Sequence, residues 1–217
     1  ADGRLLVVGE FTMVEGRFSR PRICRLTDTG DLDELFFITL NLPAWAVRER
    51  SDGKIWVGGQ FTMVNGNPQS GIVLLNADGT VDSGFANPLI NVGTNQIVVA
   101  LMPQSDGKLI AAGTFTQINS VSSKSIRRFN TDGTLDTGWD PGISTGVITA
   151  AAQDSAGRIY VGTVGALLRL LPNGTVDPAW TNPFTGTDEI ISIAPLPGGG
   201  VIVGGSFVLA GRYSNVM

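Results

Sequence analysis

Residues 106–115 read Asp106-Gly-Lys-Leu-Ile-Ala-Ala-Gly-Thr-Phe115, and close copies of this stretch return along the chain. The glycines that the copies share are 50, 54, 50 and 42 residues apart: Gly3, Gly53, Gly107, Gly157 and Gly199. Self-similarity with a period of this size is the sequence signature of stacked repeat architectures. We therefore divide the chain into repeats at residues 1–50, 51–104, 105–154, 155–196 and 197–217.

Two further sequence patterns recur in the same order within the repeats. Each shared stretch except the fourth ends in phenylalanine, and the next residue in the first three copies is threonine: Phe11, Phe61, Phe115 and Phe207. A Gly-x-x-Asp-x-x-aromatic pattern follows in four repeats, and its aspartates are Asp33, Asp82, Asp136 and Asp177. The fourth repeat lacks the Phe-Thr segment, which accounts for its short spacing of 42 residues.

Each repeat is predicted to form four short strands. Strand one is the apolar run before the Asp-Gly turn, at residues 44–47, 97–102, 147–152 and 190–194. Strand two follows that turn, as at 54–58, and strand three covers 22–26, 71–75, 125–129 and 166–170. Strand four carries the repeated aspartate and the aromatic residue. Asp-Gly between two apolar runs predicts a type I′ hairpin, whose two central residues both need positive φ.

Strand two indicates how the sheets pack. Ile55 and Val57 point to one side and Trp56 to the other, so both faces are apolar and both need cover. No stretch has the apolar spacing of a helix, and sheets must therefore stack on sheets. This favours an all-β fold, a β-propeller of four-stranded antiparallel blades. A parallel β-helix is the second choice, because it needs a shorter and stricter period.

We expect about five blades in this segment, as one repeat domain over residues 1–217, with the first and last blades incomplete. The first repeat has no strand one, and the fifth stops within strand three. We therefore expect that the chain is a segment of a longer one. The alternative is that a partner chain completes the terminal blades.

Composition excludes several classes of function. The net charge is −4 and the 15 Lys and Arg are scattered, which argues against nucleic acid as a partner. The absence of histidine removes Ser-His-Asp and Cys-His catalysis and the usual zinc sites. The single cysteine, Cys24, has no disulfide partner in the chain, and no apolar run is long enough to span a membrane. We predict no enzymatic activity and no cofactor.

The repeated aspartates have two interpretations. They could bind calcium, since hard cations take carboxylate and carbonyl oxygens. The favoured interpretation is that each aspartate accepts backbone N–H groups and fixes the entry into strand four. Strand three carries an arginine in three repeats and Leu74 in the second, and we predict that some of these arginines pair with the aspartate of the same blade: Arg25, Arg128 and Arg169.

The repeated phenylalanines also have two interpretations. The favoured one is an apolar contact between blades, and the alternative is a stacking platform for sugars. Ligand-binding residues are expected on the connections that vary between repeats. These are residues 37–44, 86–96, 140–146 and 181–189, together with the inserts at 15–20, 65–70 and 119–124.

The segments Gln104-Ser-Asp-Gly-Lys108 and Arg128-Phe-Asn-Thr-Asp-Gly-Thr-Leu-Asp136 resemble the delta-60 repeat, a β-propeller repeat found mainly in bacterial surface and secreted proteins. The resemblance covers essentially the whole chain. It is weakest in the fourth repeat, where Ala156 replaces the aspartate. It implies an extracellular location, on a cell surface or in a phage virion, and it implies no particular chemistry.

Three functions follow from these observations, in order of preference. The first is a non-enzymatic scaffold for binding or adhesion, whose partner is a protein or a surface glycan. The second is a lectin-like propeller with one weak site per blade, which gains avidity by repetition. The third is a hydrolase whose catalytic residues lie outside this segment.

Overall fold

The computed structural model describes residues 3–16, 18–86, 88–91, 96–143, 147–209 and 212–213, so parts of the connections 86–96 and 140–146, of the insert 15–20 and of the fifth repeat lie outside the described residues. Its secondary structure is all β. In chain order the strands are β1 (Leu5–Val8), β2 (Met13–Val14), β3 (Phe18–Ser19), β4 (Ile23–Leu26), β5 (Ala44–Glu49), β6 (Ile55–Gly59), β7 (Met63–Val64), β8 (Asn67–Pro68), β9 (Ile72–Leu75), β10 (Val98–Pro103), β11 (Leu109–Gly113), β12 (Gln117–Ile118), β13 (Val121–Ser122), β14 (Ile126–Phe129), β15 (Ala150–Gln153), β16 (Ile159–Thr163), β17 (Ala166–Leu170), β18 (Glu189–Pro195), β19 (Val201–Ser206), β20 (Val208–Leu209) and β21 (Arg212–Tyr213).

Five antiparallel sheets follow one another along the described chain, one for each repeat, and we number them as blades one to five. The three central blades have the strand orders β5-β6-β9, β10-β11-β14 and β15-β16-β17. Blade one consists of β1 and β4, and blade five of β18 and β19. Within the described ranges, no helix is long and apolar enough to cross a membrane.

The fourth strand of each blade is shorter than predicted. It contracts to one bridging residue that pairs with the last residue of strand three, in the pairs Leu26–Leu32, Leu75–Val81, Phe129–Leu135 and Leu170–Val176. The reason is the aspartate that follows each bridge, because its side chain starts a new turn there. The three central blades are therefore three strands wide, with a single ladder step at the outer edge.

The Asp-Gly turn is not of type I′, which corrects the sequence prediction. Gly53 has φ +82°, whereas Asp52 is not left-handed. Gly53 N donates to Arg50 O at 3.0 Å, and Arg50 N donates to Lys54 O at 2.7 Å. This is the longer hairpin loop in which a single left-handed glycine closes the turn. Only that glycine is needed for the conformation, which explains why Ala156 can replace the aspartate in the fourth repeat.

Type I′ geometry occurs instead in the small hairpins that follow strand two. Asn65 and Gly66, between β7 and β8, have φ +49° and +79°. Asn119 and Ser120 repeat this conformation between β12 and β13. The asparagine also holds the preceding connection, since Thr39 N donates to Asn65 Oδ1 at 2.9 Å. The inserts predicted as variable loops are thus ordered hairpins in these two blades.

The hydrophobic cores lie between successive blades, as the two apolar faces of strand two require. Trp56 and Leu74 of blade two pack with Leu109 and Phe129 of blade three. The same arrangement joins blades one and two, three and four, and four and five. Strand one of each blade contacts strand one of the next, from β5 to β10, β15 and β18. Since blades converge towards the propeller axis, strand one is the innermost strand.

Candidate binding face

The repeated aspartates and arginines meet inside each blade. Asp33 Oδ2 accepts Arg25 Nε at 2.9 Å, and Asp136 Oδ2 accepts Arg128 Nε at 2.8 Å. Asp177 Oδ2 accepts Arg169 Nε at 2.7 Å. The pairing predicted from the sequence is therefore present in all three repeats that carry the arginine.

In the second blade a lysine takes the place of the arginine as the partner of the repeated aspartate. Leu74 occupies the arginine position, and Lys54 on strand two donates to Asp82 instead. Lys108 makes the equivalent bond to Asp136, at 2.8 Å, in addition to the arginine of that blade. Each repeated aspartate thus has at least one cationic partner, from strand two or from strand three.

The second carboxylate oxygen of each aspartate fixes the turn. It accepts the backbone N–H two residues ahead at 2.7–3.1 Å, from Leu35, Gly84, Gly138 and Ala179. This is the local geometry that the favoured interpretation of the sequence requires. In the described part of the chain, no three acidic, histidine or cysteine side chains gather where they could hold a metal ion.

These contacts hold the carboxylates in their ionised form. The hydrogen bond from Lys108 lowers the pKa of Asp136 against the effect of desolvation, and Arg128 lowers it further. Desolvation alone would raise the pKa of Asp33, but the hydrogen bond and charge of Arg25 outweigh it and lower the pKa. Lys54 lowers the pKa of Asp82, and the Ala179 N–H is the largest cause of the lowered pKa of Asp177.

The arginines also contact the aromatic residue of strand four. The guanidinium carbon of Arg25 lies 4.5 Å from the ring centre of Phe36, and that of Arg169 lies 4.6 Å from the ring centre of Trp180. Phe36, Phe85 and Trp139 each pack on the Asp-Gly-Thr or Asn-Gly-Thr turn of the next blade, against Gly79, Gly133 and Gly174. Arginine, aspartate and the aromatic residue therefore form one connected set of contacts, in which the aromatic ring packs on the next blade.

The repeated phenylalanines are not available as sugar platforms in three of the four repeats. Phe61 and Phe115 are fully buried, and Phe207 is 5% exposed. They belong to the cores between blades, while Phe11 is half-buried. Cys24 is a buried free thiol, and desolvation raises its pKa.

Four clefts of the described chain lie beside one set of turns, on a face that we call the turn face. This face carries the turns between strand one and strand two, at residues 50–53, 104–107, 154–157 and 196–199. One cleft lies at each of the four junctions between successive blades. The largest, about 380 Å³, lies between blades three and four and is lined by Gln104, Ser105, Gln153 and Asp154.

Two amides cross the junction between blades three and four. Gln104 Nε2 donates to Gln153 Oε1 at 2.8 Å, and Gln153 Nε2 donates to Gln104 Oε1 at 3.2 Å. Asp154 Oδ2 accepts Arg158 Nε at 2.7 Å, and the Arg158 contact offsets the desolvation of this carboxyl and lowers its pKa. The lining of this cleft is therefore largely polar, and it includes the amide groups of Gln104 and Gln153 and the hydroxyl groups of Ser105 and Ser155.

A fifth space, the axial cavity, lies between the innermost strands β5, β10, β15 and β18. Its volume is about 320 Å³. Most of the residues that line it have apolar side chains, such as Ala151 and Ile193, but polar atoms make up the larger part of its exposed surface. Arg48 is the cation among the lining residues. The cavity adjoins the turn face, because its lining residues occupy the last part of each strand one.

The sequence did not single out either the clefts or Arg48. The variable connections were expected to carry the site, yet the clefts are lined mainly by the repeated turns themselves. One signal was present for Arg48, since the equivalent residues of the next three repeats are Met102, Ala152 and Ala194. Arg48 is thus the charged residue at this repeat position, where the other blades carry Met or Ala.

The stacked blades and the hydrophobic cores between them define a β-propeller repeat protein. The model of a β-propeller domain of unknown function (DUF5122) matches residues 1–36, 50–85 and 104–138, which run from the strand-two hairpin to strand four of the first three repeats. A model of the two-component regulator propeller matches residues 142–165. No curated protein matches the chain.

Solved structures share the fold at low sequence identity. A protein of unknown function from Bacteroides caccae is 15% identical with a TM-score of 0.59, over 95% of this chain and 66% of its own. The extracellular domain of a putative one-component system from B. thetaiotaomicron is 15% identical with a TM-score of 0.51, over 92% and 25%. The chain thus spans about two thirds of the first structure and a quarter of the second.

Proposed function

We propose that this chain is a non-enzymatic binding module, a β-propeller scaffold of the delta-60 type that recognises a protein or a glycan on a cell surface or virion. The observation that carries the proposal is the turn face, where the clefts of four blade junctions and the axial cavity open together. Binding sites of proteins are commonly such concave spaces on a rigid scaffold.

The repeated charges support a scaffold rather than a catalyst. A catalytic acid or base needs a pKa near the working pH and access to its substrate. Here Asp33, Asp82, Asp136 and Asp177 have lowered pKa values and accept bonds from cations and backbone N–H groups of their own blade. The hydrogen bonds and ion pairs of these side chains stabilise the blade itself.

The extracellular location is part of this proposal. It is supported by the resemblance to delta-60 repeats. A fold relative that is itself an extracellular domain is compatible with it. Secretion of the protein, detected by protease accessibility on intact cells, is the measurement that tests it. A protein found only inside cells would contradict it.

A substitution on the turn face tests the binding function. Ser105 and Ser155 are exposed residues that line the clefts, and Ser122 is an exposed serine on the small hairpin β13. Labelled protein is applied to cells of the source organism and to a glycan array. We expect the Ser105→Arg/Ser155→Arg double variant to lose binding and the Ser122→Arg control to retain it.

Two outcomes would contradict the proposal. Either the double variant binds as well as the unmodified protein, or neither protein binds any cell or glycan. Circular dichroism and thermal midpoints of all variants are measured in parallel, because a loss of binding counts only for a folded variant.

The second candidate function is a lectin with one weak site per blade junction. It is favoured by the recurrence of the cleft at four junctions and by the amide and hydroxyl groups of Gln104, Gln153, Ser105 and Ser155. Such groups hydrogen-bond sugar hydroxyls. The buried repeat phenylalanines cannot contribute stacking. Selective signals on the glycan array that vanish in the double variant would support the lectin, whereas binding to cells without any glycan signal would support a protein partner.

The two end faces of the blade stack are a further surface for partners. Leu5 in blade one is 58% exposed, although the equivalent Ile55, Leu109 and Ile159 are covered by the preceding blade. Ile202 in blade five is 38% exposed, although Trp56, Ile110 and Tyr160 are covered by the following one. We propose that like blades, from flanking sequence or from a partner chain, cover these faces.

A further inference from the structure

The axial cavity differs from the clefts because it is lined by residues near the end of strand one in blades two to five. Position 48 and its equivalents lie near the ends of the innermost strands, which contact one another in order. Three of the four residues are apolar, namely Met102, Ala152 and Ala194, and the fourth is Arg48. Arg48 is therefore the charged residue at a position that is otherwise Met or Ala, and it is exposed.

Arg48 lacks the kind of partner that most other arginines have. Its NH1 donates to the carbonyl of its neighbour Val47 at 2.8 Å. Among the described residues, no carboxylate forms an ion pair with Arg48, in contrast to Arg25, Arg128 and Arg169. A guanidinium has five donors in a planar fork, so most of its donors point away from the protein's own acceptors.

The charge next to Arg48 does not neutralise it. Glu49 follows in the same strand, and successive side chains of a strand point to opposite faces. Glu49 lines the clefts at both junctions of blade two and is not among the residues that line the axial cavity, whereas Arg48 is. The cavity contains one positive charge, and its lining contributes no negative charge.

We propose that the axial cavity binds a carboxylate carried on an apolar body. Arg48 would bind the carboxylate through two parallel N–H···O hydrogen bonds, which is the preferred geometry of an arginine–carboxylate pair. The apolar body would lie against Pro103, Ala151 and Ile193, which line the cavity and are partly exposed. The proposal rests on the proposed binding function of the turn face and adds the chemical class of one ligand.

The test uses two matched pairs of probes. Hexanoate is compared with hexanamide, and a pentapeptide ending in leucine is compared as the free acid and as the amide. Binding to the whole chain is followed by the methyl resonances of Met102, Ala151 and Ala152, which report from the cavity wall. We expect at least one acid to shift these resonances and to bind roughly ten- to a hundredfold more tightly than its amide.

The Arg48→Met variant supplies the decisive comparison. Methionine already occupies the equivalent position in blade three, so the fold should accept it. We expect this variant to bind acid and amide equally. Lys124→Gln, on the outer side at an exposed ion pair with Asp140, removes the same charge far from the cavity and should leave the preference intact.

The outcomes separate this proposal from the proposed function. Preference for hexanoate assigns a small acid, and preference for the peptide acid assigns a chain terminus; both support a carboxylate site. Equal binding of acid and amide to the unmodified protein, a preference that survives in Arg48→Met, or no shift with any probe would overturn it. The arginine substitutions at Ser105 and Ser155 test the turn face independently, whatever the axial cavity binds.

Discussion

Replacing Asp136 by alanine removes the carboxylate on which the donors of blade three converge. Arg128 Nε, Arg128 NH2 and Lys108 Nζ each lie 2.8 Å from Asp136 Oδ2, and Gly138 N donates to Oδ1 at 3.1 Å. The Asp136 side chain is 12% exposed, while those of Arg128 and Lys108 are 20% and 29% exposed. The variant therefore leaves two partly buried cations and one turn N–H without their acceptor.

The size of the effect follows from these exposures. A hydrogen bond to a charged group contributes about 1.5–3 kcal/mol, and water recovers part of that for cations that it can reach. We expect a loss of about 1–3 kcal/mol in the free energy of unfolding. At about 2–4 °C per kcal/mol for a chain of this size, the thermal midpoint should fall by roughly 3–10 °C.

The matched control is Asp140→Ala. Asp140 also accepts two cations, Lys124 at 2.7 Å and Arg127 at 3.2 Å, but its side chain is 63% exposed. Differential scanning calorimetry of the two variants should show a clearly larger fall for Asp136→Ala. An unchanged midpoint for Asp136→Ala or Arg128→Ala, or equal falls at both aspartates, would refute the structural role given to the repeated pair.

Three further predictions follow from other contacts. The pKa values of Asp33, Asp82, Asp136 and Asp177 are lowered in the folded state, so the stability that these carboxylates contribute is present above the unfolded pKa of about 3.9 and is lost as the pH falls through the folded values. The urea midpoint should therefore be level from about pH 7 to 5 and then fall, and the fall should be less steep in the Asp136→Asn variant. An identical fall in that variant would count against this prediction. Gly133→Ala should lower the free energy of unfolding, measured by chemical denaturation, by more than Gly66→Ala does. Both glycines have positive φ, but an added Cβ at Gly133 would lie 2.9 Å from Phe85, while one at Gly66 would contact nothing. Similar losses of stability in the two variants would contradict the contact between blades. Leu5→Asp and Ile202→Asp should each raise the monomer fraction in sedimentation if copies of this chain cover the end faces, and a chain that is monomeric at all concentrations would leave flanking sequence as the source of cover.

The sequence was sufficient to predict the repeat, the β architecture and the arginine–aspartate pairs within three blades. Arg128 and Asp136 recur at fixed positions within one repeat, and their meeting needs only a hairpin and a turn. The turn type was wrong because Asp-Gly permits two loops, and the choice depends on whether the residue before the glycine becomes left-handed. Asn65-Gly66, where both residues are left-handed, gives the expected turn in another place.

The binding face could not be predicted in the same way, because it arises between repeats. Gln104 and Gln153 are 49 residues apart, and they meet only because consecutive blades stack with their turns on the same face. The axial cavity needs residues from four blades. Arg48 could have been identified from the sequence, because the equivalent residues are Met102, Ala152 and Ala194. That comparison points to the axial cavity only when strand one is known to be the innermost strand.

The contact between blades has a consequence for how such chains change in length. The second and third repeats each carry both halves of the contact, an aromatic residue that packs on the next blade and a turn glycine that contacts the preceding ring, as with Phe85 and Gly79 in blade two. Duplicating or deleting one whole repeat would therefore leave every remaining ring with a turn to pack on. Genes for such proteins can gain or lose single units by recombination without first evolving a new interface, while a cut inside a unit would leave a ring or a turn unmatched.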